Sequence, residues 1–188
     1  MTADVEYFEY LKSRRLTSLI YRRLWLYPRL RRHLSGRVLD VGCGIGDFLA
    51  SCPGSVGLDV NPLLVEWCRQ SGHDARLIEN GRIPFADSSA DSVVLDNVLE
   101  HLVDPVPLLT EIRRVLVRRG RFIVGVPGPR GYAADSDHKV FYDKAALIRL
   151  LDRTGFAAHT VMHMPVPSGW LSRRVRQCCL YVVSCRNG

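Results

Sequence analysis

The stretch Arg37–Phe48, RVLDVGCGIGDF, constrains this 188-residue chain more than any other. Val38, Leu39 and Val41 make a short apolar, β-branched run of the kind buried in a sheet. Asp40 sits near its C-terminal end, and Gly42, Gly44 and Gly46 follow at every second position. Glycine lacks a Cβ, so the backbone can turn sharply and a ligand can come close to it. Asp47 and Phe48 then open a helix whose free N–H groups face the same place. Strand, glycine loop and helix are the first half of a nucleotide-binding βαβ unit. The spacing departs from the dinucleotide pattern G-x-G-x-x-G, because Asp47 stands where the third glycine would fall. A carboxylate at a helix N-terminus opposes a pyrophosphate and does not oppose a cationic amino-acid ligand.

Strand and helix signals alternate downstream. Ser55–Val60 reads as a second strand, and Asn61-Pro62 opens a helix with a cap residue and a first-turn proline. Gly72 closes that helix. Asp59 follows Asp40 by 19 residues, where an acid at the end of the second strand accepts the hydroxyls of a ribose. Strands three to five are Ala75–Ile78, Asp91–Asp96 and Arg121–Val126. Before the fifth, Leu108, Leu109, Ile112, Val115 and Leu116 trace one helix face, which Gly120 should cap. Asp143 caps a helix over 144–154, Gly155 ends it, and Phe156–Met164 and Gln177–Cys185 are the last strands. Leu171–Arg176 reads as a short helical turn between them.

Residues 5–33 predict a helix with an apolar stripe of Leu16, Leu19, Ile20, Leu24 and Tyr27, interrupted or ended by Pro28. The expected organisation is a cap-helix region over 1–36 and a ligand-binding domain over 37–188, one compact domain overall. Five β-then-helix units followed by two strands predict a Rossmann-like α/β fold. Its sheet has seven mostly parallel strands, with helices on both faces.

The run Val38-Leu39-Asp40-Val41-Gly42-Cys43-Gly44-Ile45-Gly46 resembles the first motif of the class I S-adenosylmethionine-dependent methyltransferases, the type 11 group in particular. Glu79, shortly before Ile83-Pro84-Phe85, is similar to the acid that precedes a Leu-Pro-Phe-like triplet there. Asn97-Val98-Leu99-Glu100-His101-Leu102 is similar, nearly letter for letter, to the segment after strand four. The chain departs at Ala90, where an aromatic is usual, and at Arg118-Arg119-Gly120, where Pro-Gly-Gly is usual. The resemblance implies the strand order 3-2-1-4-5-7-6, with the last strand antiparallel, and S-adenosyl-L-methionine as cofactor. It implies that Asp40, Gly42, Cys43 and Gly44 surround the methionine part, and that Asp59 and Val60 meet the ribose. Glu79, Asn80 and Gly81 meet the adenine, with either Glu79 or Asn80 touching its amino group. Asn97 and Val98 close the amino-acid end.

Methyl transfer is an in-line displacement at a sulfonium, so the protein has to align the nucleophile and exclude water. A hydroxyl acceptor also benefits from a general base. His138, beside Asp137 and near Tyr142, is the first candidate, and His101 is the second. Residues 125–142 resemble, more loosely, methyltransferases of sugar and cell-surface polysaccharide pathways. The expected reaction is therefore O-methylation of a small molecule such as a sugar, nucleotide-sugar or lipid-linked glycan. The alternatives are an RNA methyltransferase and a cofactor-binding partner module without chemistry. No N-P-P-Y-like motif, catalytic-cysteine motif or appended RNA-binding domain is present, so nucleic acid is not the expected partner.

The net charge of +7 is concentrated at the ends: residues 1–37 carry +6 and residues 165–188 carry +4. Basic termini suit an anionic acceptor, or an anionic membrane surface under an arginine-flanked helix. The six cysteines form no C-x-x-C pair, so neither a metal site nor a disulfide framework is expected. No apolar run is long enough to span a bilayer and the first residues lack signal-peptide order, so the cytoplasm is the expected compartment.

Overall fold

The computed structural model describes residues 3–13, 16–165 and 179–187. The predicted turn Leu171–Arg176, the start of the last predicted strand at Gln177–Cys178, and Arg14, Arg15, Arg173 and Arg174 lie outside them. The centre is a seven-stranded sheet of order β3-β2-β1-β4-β5-β7-β6. Its strands are β1 (Val38–Val41), β2 (Val56–Asp59), β3 (Ala75–Leu77), β4 (Ala90–Asp96), β5 (Leu116–Pro127), β6 (Phe156–Met164) and β7 (Cys179–Arg186). Strands β1 to β5 pair in parallel, and β7 runs antiparallel to both β5 and β6. Order and direction agree with what the resemblance implies.

Successive side chains of each strand enter different layers, as a period of two requires. Leu39, Val41, Val93, Leu95, Phe122 and Val124 pack with Leu109, Ile112 and Val115 of α6 (Val106–Val115) and with Leu147, Leu150 and Leu151 of α8 (Lys144–Arg153). On the other face Val38, Val94, Ile123, Tyr181 and Val183 pack with Leu26, Tyr27, Leu30 and, from α4 (Asp47–Ser51), Phe48; the short α7 (Pro129–Tyr132) follows β5. Two buried faces explain why the strands read as nearly continuous apolar runs. The caps match their residues. Asn61 Oδ1 accepts from the Leu63 N–H at the start of α5 (Pro62–Gln70), and Asp143 Oδ1 accepts from the Ala146 N–H at the start of α8. Gly72 and Gly155 take the left-handed conformation after these helices, at φ 82° and 84°.

Two local expectations are corrected. Helix α6 stops at Val115, and β5 is already extended from Leu116, so Gly120 is no cap; Arg119 takes the positive φ of 60° instead. Gly120 is needed for space, since a Cβ there would sit 2.9 Å from the Val117 carbonyl and 3.2 Å from that of Asp91.

The second correction concerns the N-terminus. The single helix over 5–33 is three pieces, α1 (Ala3–Lys12), α2 (Leu16–Tyr21) and α3 (Tyr27–Arg31), with a π turn at Arg22–Leu26 joining the last two. Pro28 does not end the run. It has no N–H to give to Leu24, and the wider turn, closed by Tyr27 N–H on the Arg22 carbonyl, accommodates it. The extra residue rotates the helix, so Leu16, Ile20 and Leu24 of the predicted stripe are exposed while Tyr27 of the same stripe is buried, beside Leu26 and Leu30.

Candidate active site

The sheet reverses its order at β1, whose neighbours are β2 on one side and β4 on the other. Ligands of open α/β sheets bind outside the strand C-termini at such a point, and a cavity of about 480 Å³ opens there. The glycine loop forms one wall. The Gly42 and Cys43 N–H groups donate to the Leu58 carbonyl, tying the loop to the end of β2. Gly42, Gly44 and Gly46 all have positive φ, and a Cβ on Gly42 would lie 2.4 Å from Val98 Cγ2. The second strand-end acid, Asp59, accepts from the Gly44 N–H at 3.0 Å and the Asn61 N–H at 3.0 Å, which couples the loop to the start of α5.

The electrostatics are acidic. Asp40, Asp59 and Asp96, at the ends of β1, β2 and β4, all line the cavity. Burial holds the Asp40 carboxyl well above the usual carboxylate range, and the neighbouring Asp96 and Asp59 push it the same way. Burial also raises Asp59, partly offset by the backbone N–H donors of Asn61 and Gly44. Among the described residues, one cation of the N-terminal segment lines the cavity. Arg22 meets Asp96 Oδ2 at 3.1 Å and donates to the Tyr27 hydroxyl at 2.9 Å. Asp96 Oδ1 accepts from the Tyr181 hydroxyl at 2.7 Å and from Asn97 Nδ2 at 2.8 Å. Asn97 itself has φ 56°, an unusual backbone for a residue other than glycine, which turns it back onto the strand end. Helix α1 covers the mouth. Asn61 Nδ2 donates to the Asp4 carbonyl, Phe8 packs edge-on against Trp67, and Tyr7 and Leu11 line the cavity.

The far wall is the 3-10 turn Leu99–His101 after β4. His101 and Asp137 line the cavity, with Nδ1 to Oδ2 at 3.2 Å. Lys139 and His101 hold the Asp137 carboxyl below its usual range, and a carboxylate there can accept from an Nδ1–H. His138 is behind His101, ring centroids 4.8 Å apart, and does not line the cavity. Its Nδ1 lies 2.8 Å from the Tyr132 carbonyl. Glu100 is buried beneath both rings, and burial pushes its carboxyl up to about 8.

Of the residues expected at the cofactor, the structure brings Asp40, Gly42, Cys43, Gly44, Asp59, Val60, Gly81, Asn97 and Val98 to this one cavity. Glu79 and Asn80 are exposed and outside it; Ile78 and Gly81 on either side of them form the wall. Between the two histidines the order changes, since His101 reaches the cavity and His138 does not. Asp96, Arg22, Tyr7, Leu11 and Glu100 were not anticipated. Asp96 had a signal, for it ends its strand as Asp40 and Asp59 nearly end theirs. Arg22 had none, because its direction depends on the π turn.

A switch-point cavity with a glycine cradle and strand-end carboxylates defines a Rossmann-like domain for a nucleoside ligand that carries positive charge. The comparisons agree. Residues 39–124 match the family described as "Methyltransferase domain". A probable S-adenosylmethionine-dependent methyltransferase of Mycolicibacterium smegmatis is 33% identical over 144 residues, covering 70% of this chain and 56% of that protein. A ubiquinone/menaquinone biosynthesis C-methyltransferase of Geobacter sp. is 32% identical over 130 residues, covering 58% and 54%. The chain spans about half the length of such curated relatives. In fold it is similar to a crystal structure from Thermotoga maritima described as a SAM-dependent methyltransferase, possible histamine N-methyltransferase, with a TM-score of 0.80, 18% identity and full coverage of both chains. The comparisons support a class I S-adenosylmethionine-dependent methyltransferase domain around the matched residues 39–124. The lining fits that cofactor, since acids at three strand ends can balance its sulfonium and ammonium charges and Gly42 leaves the space a Cβ would fill.

Proposed function

We propose that this chain methylates a hydroxyl oxygen of a small acceptor, of the class of sugars, nucleotide-sugars or lipid-linked glycans. The observation that carries the oxygen assignment is His101, which lines the same cavity as the glycine loop and is held by ionised Asp137 with its Nε2 left as a proton acceptor. S-adenosylmethionine supplies an electrophilic methyl group. Tyr7 and Leu11 of α1 cover the glycine loop and exclude water, which favours the displacement. His101 takes the hydroxyl proton as the O–C bond forms and the C–S bond breaks, with the electron pair staying on sulfur. The looser resemblance of residues 125–142 supports the glycan class, and the arginines of the N-terminal segment suit its phosphates.

The test is incubation of the purified chain with carbon-13-methyl cofactor and an extract of glycans and metabolites, read by mass spectrometry and carbon NMR. A methoxy product that falls away with His101→Ala, while cofactor affinity is kept, is expected. A C-methyl, N-methyl or nuclease-sensitive RNA product overturns the assignment.

A further inference from the structure

The far wall of the cavity holds a group of ligating side chains that cofactor binding does not use. One donor atom each from Glu100, His101 and His138 lies within 4.8 Å of the others. Cysteine spacing does not point to this group, since no cysteine takes part in it. Glu100 is 1% exposed, yet neither of its carboxyl oxygens has a hydrogen-bond partner among the described residues. An ionisable group buried in that way is costly unless something compensates it. Both histidines are set as metal ligands usually are, with one nitrogen fixed by an acceptor and the other free. The Tyr132 carbonyl can only accept, so His138 Nδ1 carries the proton, and the Nε2 lone pair lies 3.9 Å from Glu100 Oε1. His101 Nδ1 is held by Asp137. The Lys139 and Val140 N–H groups donate to the Glu100 carbonyl, which fastens the segment carrying His138 onto the turn carrying Glu100 and His101.

We propose that Glu100, His101 and His138 together bind one divalent transition-metal ion, with an open coordination position towards the cavity. Two imidazoles and a carboxylate are a donor set of Zn²⁺ and its first-row neighbours, and three protein ligands leave a place for a substrate oxygen. Bonds of about 2.1 Å at tetrahedral angles set two ligands about 3.4 Å apart, so the group closes by up to about 1.4 Å on binding. The role of the ion rests on the oxygen-acceptor reading above. With the ion bound, His101 serves as a ligand and the ion lowers the pKa of an acceptor hydroxyl at its open position, whose proton leaves to solvent; without the ion, His101 is the base as above. Binding of the ion does not depend on that reading.

The experiment is a titration of the full chain, stripped with a chelator, with Co²⁺, followed by visible absorption and by displacement with Zn²⁺. One equivalent of Co²⁺ with a ligand-field band is expected. His138→Ala and Glu100→Gln should each weaken it about tenfold or more, with affinity for the demethylated cofactor, measured by calorimetry, within about twofold of the parent. That calorimetry reports folding, and His101→Asn replaces any variant that fails it. No stoichiometric binding, binding that the variants leave unchanged, or a thiolate charge-transfer band each overturn the proposal. Co²⁺ bound as expected with no methoxy product in the extract assay sinks the oxygen-acceptor reading alone. A methoxy product from stripped protein that binds no Co²⁺ sinks the metal site alone.

Discussion

Replacing Asp96 by alanine removes three interactions at once, and their sizes can be worked out separately. Tyr181 is fully buried, and its hydroxyl would lose the Oδ1 acceptor at 2.7 Å. An unpaired buried hydroxyl costs about 1–3 kcal/mol. Arg22 would lose its carboxylate at 3.1 Å, and breaking a buried ion pair from one side costs about 3–5 kcal/mol. The Arg22 side chain keeps 19% exposure and its bond to the Tyr27 hydroxyl, so its share falls below that range. Asn97 Nδ2 is partly solvated and adds little. One effect runs the other way: Asp96 is among the charges that raise the buried Asp40 carboxyl, and its removal relieves that repulsion. The expected net loss is about 3–5 kcal/mol. Against a total stability on the order of 5–15 kcal/mol, that is a drop in Tm of roughly 6–20 °C for a chain of this size. Asp96→Asn keeps an oxygen for Tyr181 and should lose about half as much. In urea denaturation, Asp96→Ala combined with Tyr181→Phe should cost less than the two singles added together, by about 1 kcal/mol or more. A loss under about 1 kcal/mol for Asp96→Ala, or additivity in the double variant, refutes the network.

Asp59→Ala should weaken affinity for the demethylated cofactor by about 1–3 kcal/mol in calorimetry, the cost of leaving polar partners unpaired; unchanged affinity removes Asp59 from the site. Glu79→Ala and Asn80→Ala should stay within about twofold of the parent, because both side chains are exposed and outside the cavity; a tenfold loss would restore their adenine role. Gly42→Ala must take φ 75° with its Cβ 2.4 Å from Val98 Cγ2. Left-handed strain of about 1–2 kcal/mol and overpacking of about 1–3 kcal/mol should lower Tm, and adding Val98→Ala should recover only the overpacking share.

The sheet was legible because both of its faces are buried. β1, β2, β4 and β5 read as apolar runs, and each is followed by a capped helix or a glycine turn whose residue types have few other uses. The cofactor wall was legible for a related reason. A glycine loop and strand-end acids are short-range features, and the topology alone carries them to one edge. What failed depended on rotation about a helix axis. Leu16, Ile20 and Leu24 keep a helical period with Tyr27, yet the π turn before Pro28 inserts an extra residue, and of these four only Tyr27 is buried, with Leu26 and Leu30. Periodicity fixes which residues share a face and says nothing about which face is buried. The order of the two histidines failed similarly: His138 lies in a polar stretch in sequence but is folded behind His101, against Tyr132 and above Glu100.

The same π turn decides the electrostatics of the site. The cavity carries Asp40, Asp59 and Asp96 at three strand ends, and Arg22 is a cation that meets Asp96. It reaches the strand end only because the widened turn aims it inward, while Leu26, Tyr27 and Leu30 anchor the same segment on the sheet. The N-terminal segment therefore does more than cover the mouth. Its charge offsets the mutual repulsion of the strand-end acids, and its helix α1 supplies Tyr7 and Leu11 to the wall. A region that reads in the sequence as an accessory cap in front of the glycine loop is, by charge and by packing, part of the site.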